Sequence, residues 1–201
     1  FQAETAVDQT RALFRAALAA ALLYNLQFFA EWSLTPDALA FSAALHFGAV
    51  TPALLLIAAY ARSADTPLQR DALGAAIPLL IAFQATATYV VSAAPGAPYY
   101  LTLLAVAPIL SNSSLPLSKR AAMWSTAICL LLLAALTRLP HAAATTPLAF
   151  GGLAPISFCV VMTLVSAVQR NRSARRAWLL DLRHRLRMAE IGLEARHDPL
   201  T

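Results

Sequence analysis

Apolar positions along the chain fall into six long stretches that alternate with short polar segments. Each stretch has close to the roughly 20 residues that a helix needs to cross the hydrocarbon core of a bilayer. The stretches cover residues 12–32, 38–61, 72–92, 98–117, 119–138 and 146–169. The pattern therefore predicts an all-α membrane protein, with a six-transmembrane-helix bundle over residues 12–169 after a short N-terminal segment, residues 1–11.

The fourth stretch contains residues that disfavour an unbroken helix. Pro108 lies within it, and the polar run SNSSLP follows at 111–116. Proline removes a backbone donor and clashes with the preceding helical turn. We therefore expect this span to bend or to end early.

Basic residues in the connecting loops predict the orientation of the bundle. Arg62 and Arg70 lie in the loop between the second and third spans, and Lys119 and Arg120 lie between the fourth and fifth. The three loops on the opposite side contain one basic residue in total, Arg138. Short loops rich in Lys and Arg stay on the cytoplasmic side of a membrane. Both termini of this multi-pass protein are therefore expected in the cytoplasm, with the lipid bilayer around the spans.

The composition narrows the classes of partner. Charged residues make up 12% of the chain, and the net charge of +5 comes mostly from the basic residues after residue 169. Because membrane proteins concentrate such residues at the cytoplasmic surface, the charge does not indicate a nucleic-acid partner. Cys129 and Cys159 lie in apolar stretches without metal-ligand spacing, so neither a zinc site nor any other metal is predicted.

The segment after the sixth span, residues 170–197, has the spacing of a coiled coil. Its apolar residues fall on the a and d positions of about two heptads, which predicts a cytoplasmic signalling helix that pairs as a parallel homodimer. Arg185 and Glu190 take g and e positions that pair across such a dimer. Alternatively, the stripe lies on the membrane with its arginines at anionic lipid, and both interpretations can hold together. The predicted dimerisation residues are Leu179, Leu182, Leu186, Ala189 and Leu193.

The last four residues, DPLT (198–201), resemble the opening of GGDEF domains, the diguanylate cyclases, which begin D-x-L-T-G-L-x-N-R. Asp198, Leu200 and Thr201 match, and residues 198–201 would be the start of a truncated GGDEF domain. Six spans, a charged amphipathic helix and D-x-L-T resemble a bacterial inner-membrane architecture of sensor, signalling helix and cyclase. The specific letters of this resemblance lie in about the last thirty residues.

The resemblance implies an activity for a complete protein. Such an enzyme condenses two GTP into cyclic di-GMP where two GGDEF domains face each other, with Mg²⁺ at the triphosphates. None of the catalytic residues lies in this chain. The 201 residues would be the sensory and dimerisation region, without a cofactor of its own.

Two other classes of protein remain open. A sensor histidine kinase has a similar input region, but its phosphoacceptor box reads approximately H-E-[LI]-R-T-P-L. Here Asp198 and Pro199 directly follow His197, so the three residues that should intervene are absent. A small integral membrane protein without an output domain is the third class, which the charged heptad segment disfavours.

Polar residues within the spans suggest a ligand pocket. Four of them lie at about 10–13 Å from the outer boundary at 1.5 Å per residue, and the two in the sixth span lie deeper. Polar residues at such depth are either functional or hold helices together by hydrogen bonds. A lipophilic small molecule suits the apolar surroundings better than haem, because His46 has no second histidine at its depth. The candidates are Asn25, His46, Gln84, Cys129, Ser157 and Cys159.

Overall fold

A computed structural model describes residues 6–137 and 147–197, with side chains at 7–98, 101–137 and 156–191. All regular structure in the described ranges is helical, which confirms the all-α class. The helices are α1 (Ala6–Leu34), α2 (Leu39–Leu45), α3 (Thr51–Ala61), α4 (Pro67–Val91), α5 (Ala97–Ser114), α6 (Lys119–Leu136) and α7 (Pro147–His197). A 3₁₀ turn, Pro36–Ala38, precedes α2, and a π-helical turn, His46–Val50, joins α2 to α3.

Several of these helices are long and apolar enough to cross a membrane. Within the described residues there are four such segments, and the apolar part of α5, Leu101–Ser114, is shorter. The sixth predicted span forms the first part of α7, and a total of six spans stays a prediction. α1 begins within the predicted N-terminal segment, so the helix is longer than its apolar stretch. The four segments are Val7–Leu34, Pro36–Ala61, Pro67–Val91 and Lys119–Leu136.

Local sequence signals account for where the helices begin and end. Thr66 and Gln69 form a reciprocal capping box before α4, with N···O distances of 3.1 and 3.2 Å. Ser118 caps α6 by accepting from the Ala121 amide. Pro108 is accommodated inside α5, but the helix ends at Ser114, three residues before the predicted end of the span. The early end matches the sequence prediction, whereas Pro108 itself does not end the helix.

Hydrogen bonds from nearby loops to aspartates at the starts of helical segments mark the two ends of the bundle. At one end, which we call the Asp37 end, the Asp37 carboxylate accepts from Ser92 Oγ at 2.7 Å and from the Ala93 amide at 2.6 Å. Gly96 packs there against the backbone of Leu34, where a Cβ would lie 2.5 Å from the carbonyl oxygen. At the other end, the basic end, Asp71 accepts from the Ser118 amide at 2.8 Å and joins the start of α4 to loop 115–118.

Two clusters of buried apolar side chains hold the helices together. The first draws mainly on α1, α3 and α4, and the second on α4, α5, α6 and α7. Large apolar side chains also cover the outside, and Leu22, Phe29 and Leu131 are each more than 60% exposed. An exposed apolar surface of this extent is typical of a protein surrounded by lipid.

The last helix runs without a break from the bundle into the predicted signalling segment. α7 has 51 residues. Val160 and Ala167 are buried against the bundle, whereas nearly all side chains between residues 169 and 191 are exposed. Arg185 pairs with Asp181 one turn earlier on the same helix. The predicted dimer is neither supported nor opposed by this single chain.

Candidate functional site

A buried carboxylate occupies the centre of the bundle near the Asp37 end. Glu31 is completely buried because α1 continues to Leu34. Glu31 lies one residue from the end of the first predicted span, 12–32, and it is missing from the predicted pocket. A signal was available, since Ala17, Ala21 and Tyr24 precede Glu31 on the buried face of α1 at helical spacing.

Two helices and the π-helical turn direct polar side chains at Glu31. Ser42 Oγ of α2 donates to one carboxylate oxygen, and Gln84 Nε2 of α4 donates to the other at 2.9 Å. His46 Nδ1, at the start of the π-helical turn, lies 3.0 Å from the same oxygen as Gln84. Thr88 Oγ1 donates to Ser42 Oγ at 3.2 Å. These five side chains, which we call the Glu31 network, are all fully buried.

The surroundings of His46 are aromatic on several sides. The Tyr24 ring stacks on the imidazole with centroids 4.0 Å apart and planes 12° apart. Phe28 and Phe47 lie at 5.5 and 4.8 Å. The Glu31 carboxylate is the hydrogen-bond partner of only one of the two ring nitrogens, Nδ1. His46 Nε2 is buried and has no hydrogen-bond partner among the described residues, so it is a position open to a ligand atom.

The backbone at His46 departs from regular α-helix. The π-helical turn His46–Val50 separates α2 from α3. Turns of this kind insert an extra residue, re-aim the side chains on either side and often accompany functional sites. Here the turn places His46 towards Glu31 while Val50 and Leu54 keep to the apolar core. Sequence periodicity could not predict this because apolar residues surround every polar position in 38–61, so the pattern defines no single buried face.

The structure brings together two of the six predicted pocket residues, His46 and Gln84. Asn25 donates to the Ala21 carbonyl at 2.7 Å and accepts from Thr51 at 3.3 Å, which ties α1 to α3. Cys129 belongs to the second apolar cluster. On α7, Ser157 is half-buried and Cys159 is exposed.

A cavity of about 220 Å³ lies next to the Glu31 network, between α1, α4 and α5. Small side chains, including Ala20 and Ala107, make the space. Tyr24 lines the cavity and also stacks on His46. Leu23 and Leu110 line it as well, and each is close to half exposed. The cavity therefore reaches the outside between apolar side chains, and a lipophilic molecule could enter sideways.

A polar joint connects α7 to the bundle at the basic end. The Arg170 guanidinium donates to the carbonyls of Asn112 and Ser113, the latter at 2.7 Å. Asn171 Nδ2 donates to the Leu117 carbonyl at 2.8 Å. A cation at the C-terminal end of a helix satisfies its last carbonyls and suits its dipole. This Arg170 joint thus links the end of α5 to the residue that follows the sixth predicted span.

No protein-family model, no curated protein and no solved structure matches this chain. Among the described residues, no three His, Cys, Asp or Glu side chains lie together in a group that could hold a metal ion. The Glu31–His46 pair, the adjoining cavity, the Arg170 joint and the unbroken α7 are the features that bear on function.

Proposed function

We propose that this chain is the membrane-embedded sensory and dimerisation region of a GGDEF diguanylate cyclase. The continuity of α7 is the observation that carries the proposal. One helix packs in the bundle at Val160 and Ala167 and continues, mostly exposed, towards the D-x-L-T sequence. Residues 198–201, which carry the resemblance, lie outside the described residues. In this proposal the termini are cytoplasmic and the membrane is a bacterial inner membrane.

The geometry supports a route from a ligand to the output. The cavity that reaches Tyr24 is bounded on its far side by α5, through residues such as Val106 and Ala107. The last carbonyls of α5 are held by Arg170 of α7. A shift of α5 would therefore be transmitted to α7 at the point where it leaves the bundle. Rotation or displacement of α7 would alter how two cyclase domains face each other.

The ligand in this proposal is a lipophilic small molecule. It must bind one packing of the helices more tightly than the other, because equal affinity shifts no equilibrium. A tenfold preference supplies about 1.4 kcal/mol. Because Tyr24 lines the cavity and stacks on His46, a ligand that moved the Tyr24 ring would also move His46 in the Glu31 network.

Dimerisation in this proposal uses the apolar stripe of α7. Leu179 and Leu186 are 45% and 62% exposed in the single chain, and Leu182 is half-buried. Pairing with a second copy would remove these side chains from water, at about 25 cal/mol per Å² of apolar surface. The exposed arginines of α7 would then remain on the outside of the coil.

The test replaces stripe residues in the full-length protein. Leu182→Asn with Leu186→Asn should lower cyclic di-GMP production from GTP at least tenfold and abolish cross-linking between protomers. Leu180→Asn is the matched control, since Leu180 is 65% exposed but lies off the heptad stripe. Unchanged cyclase output and dimerisation in the double variant would overturn the proposal.

The same preparation separates the cyclase from the kinase alternative. With GTP and Mg²⁺, cyclic di-GMP is the expected product. If ATP instead labels the protein, and His197→Gln removes the label, then the output is a histidine kinase. Absence of both activities from the full-length protein would favour a membrane protein without an output domain.

A further inference from the structure

A second cavity lies at the basic end, beside the Arg170 joint. Its volume is about 670 Å³. It is a partly open cavity bordered by the start of α1, the start of α4, loop 115–118, the start of α6 and the part of α7 around residue 171. The lining residues on which the argument depends are Arg70, Asp71, Lys119, Val168, Arg172 and Arg175.

The lining has a strong excess of positive charge. Of the described side chains that form it, four are basic and one, Asp71, is acidic. One oxygen of the Asp71 carboxylate already accepts from the Ser118 amide. The cavity also borders the first residue of α6, where backbone amides and the helix dipole favour an anion. The surface between these elements is therefore suited to a negatively charged group.

Arg70 provides a separate indication of a ligand. The side chain is only 7% exposed, and one of its terminal nitrogens donates to the carbonyls of Ala64 and Asp65 at 3.1 and 3.3 Å. Its Nε is buried with no hydrogen-bond partner in the described part of the chain. A buried guanidinium normally satisfies all of its donors, because an unpaired buried donor costs about 1–3 kcal/mol. Arg70 lines this cavity as well as another one beside Ala64 and Asp65, and an oxygen anion that reached its Nε would supply the missing acceptor.

We propose that this cavity binds the phosphate headgroup of an anionic phospholipid. The lining combines the four cations with the apolar side chains of Pro67, Leu117 and Val168, as a charged headgroup with attached acyl chains requires. The cavity also lies at the level where α6 begins and the sixth predicted span ends, which is where lipid phosphates meet a spanning helix. A free phosphate would use the cations but not the apolar wall. This inference rests on the membrane placement proposed above and not on the cyclase output.

Binding at this position would act on the joint. Asn171 lines the cavity and donates to the Leu117 carbonyl, and both residues form part of its wall. A headgroup held between Lys119 of α6 and Arg172 of α7 would stabilise the contact between the two helices. Lipid composition would thereby tune how firmly α7 is held where it leaves the bundle.

The experiment compares two triple variants of equal charge. The chain in neutral detergent is titrated with dioleoylphosphatidylglycerol or dioleoylphosphatidylcholine, and retained lipid is counted by native mass spectrometry. Lys119→Gln, Arg172→Gln and Arg175→Gln together remove cavity cations. Arg120→Gln, Arg176→Gln and Arg183→Gln remove exposed neighbours that do not line the cavity.

The expected result is selective. Each lost cation should weaken phosphatidylglycerol binding about fivefold, so the cavity variant should bind about a hundredfold more weakly. The control variant should bind like the original chain, and phosphatidylcholine should not be retained. Equal loss in both variants would show general attraction to an acidic lipid and overturn the site.

Two further measurements, competition by glycerol 3-phosphate and a comparison of single variants, can refute the proposal. Glycerol 3-phosphate that displaces the lipid at low millimolar concentration would identify a soluble phosphate as the ligand and overturn the lipid assignment. If the cavity triple variant does not fold, Lys119→Gln against its neighbour Arg120→Gln decides the question, with a fivefold difference expected. The binding readout needs no cyclase domain, so it fails or succeeds independently of the proposed output.

Discussion

Replacement of Glu31 by leucine tests whether the Glu31 network holds the bundle together. The substitution introduces an apolar side chain of similar size and removes the carboxylate that accepts hydrogen bonds from α2, α4 and the π-helical turn. Ser42 and Gln84 lie 3.0 Å apart and Thr88 is 3.2 Å from Ser42, so these groups can still bond to one another. His46 loses the described partner of its Nδ1, and its Nε2 has no partner within the described ranges.

The hydrogen bonds lost from Glu31 give the expected decrease in the free energy of unfolding. A buried polar group without a partner costs about 1–3 kcal/mol, and loss of one member of a buried pair costs about 3–5 kcal/mol. Since two of the three donors retain alternatives, we expect Glu31→Leu to lower the free energy of unfolding by about 2–4 kcal/mol. Asp8→Leu, on the exposed face of the same helix, should change it by less than about 0.5 kcal/mol.

A double-mutant cycle makes the test specific to the pair. His46→Phe keeps a ring against Tyr24 but leaves Glu31 with fewer donors. Because replacement of both partners by apolar groups is often close to neutral, the double variant should cost no more than Glu31→Leu alone. The coupling energy should therefore be about 2 kcal/mol, measured by unfolding in mixed micelles with increasing dodecyl sulfate. Additive effects, or a Glu31→Leu cost below about 0.5 kcal/mol, would refute the reasoning.

The cavity and the joint give two more expectations. Ala107→Phe should cost less than about 1 kcal/mol because the new ring enters the cavity, whereas Ala105→Phe, at a buried residue that does not line this cavity, should cost about 1–3 kcal/mol by the same unfolding measurement. Equal costs would contradict the presence of the cavity. Arg170→Gln should raise hydrogen exchange of residues 111–118 about tenfold, since a charge-assisted bond of about 1.5–3 kcal/mol is lost, and Arg176→Gln should not.

Long apolar stretches are enough to predict much of the helical architecture. Residues 38–61, 72–92 and 119–138 correspond closely to described helices, because a stretch of about 20 apolar residues has few other stable forms in lipid. Cap residues such as Thr66 and Ser118 mark where two of the helices start. The loop charges indicate an orientation, which stays a prediction together with the dimer and the cyclase output.

Other features depend on contacts between residues far apart in the chain. Glu31 lies at the end of the first predicted span, and only the approach of Ser42, His46 and Gln84 makes it the centre of a network. Depth along the helices predicted four polar residues near one layer and two deeper ones, but the direction of each side chain around its helix separates them. Cys159 is exposed for that reason, whereas His46 is buried.

The sequence by itself determined which segments are helical, because hydrophobic length and capping act locally along the chain. Tertiary structure decided which helix faces meet, and with them the Glu31 network, the cavity beside Tyr24 and the Arg170 joint. The physical reason is that lipid and protein interior are almost equally apolar, so an apolar stretch does not specify how its helix is rotated about its own axis. Polar contacts between helices, formed only on packing, select the rotation and so create the candidate sites.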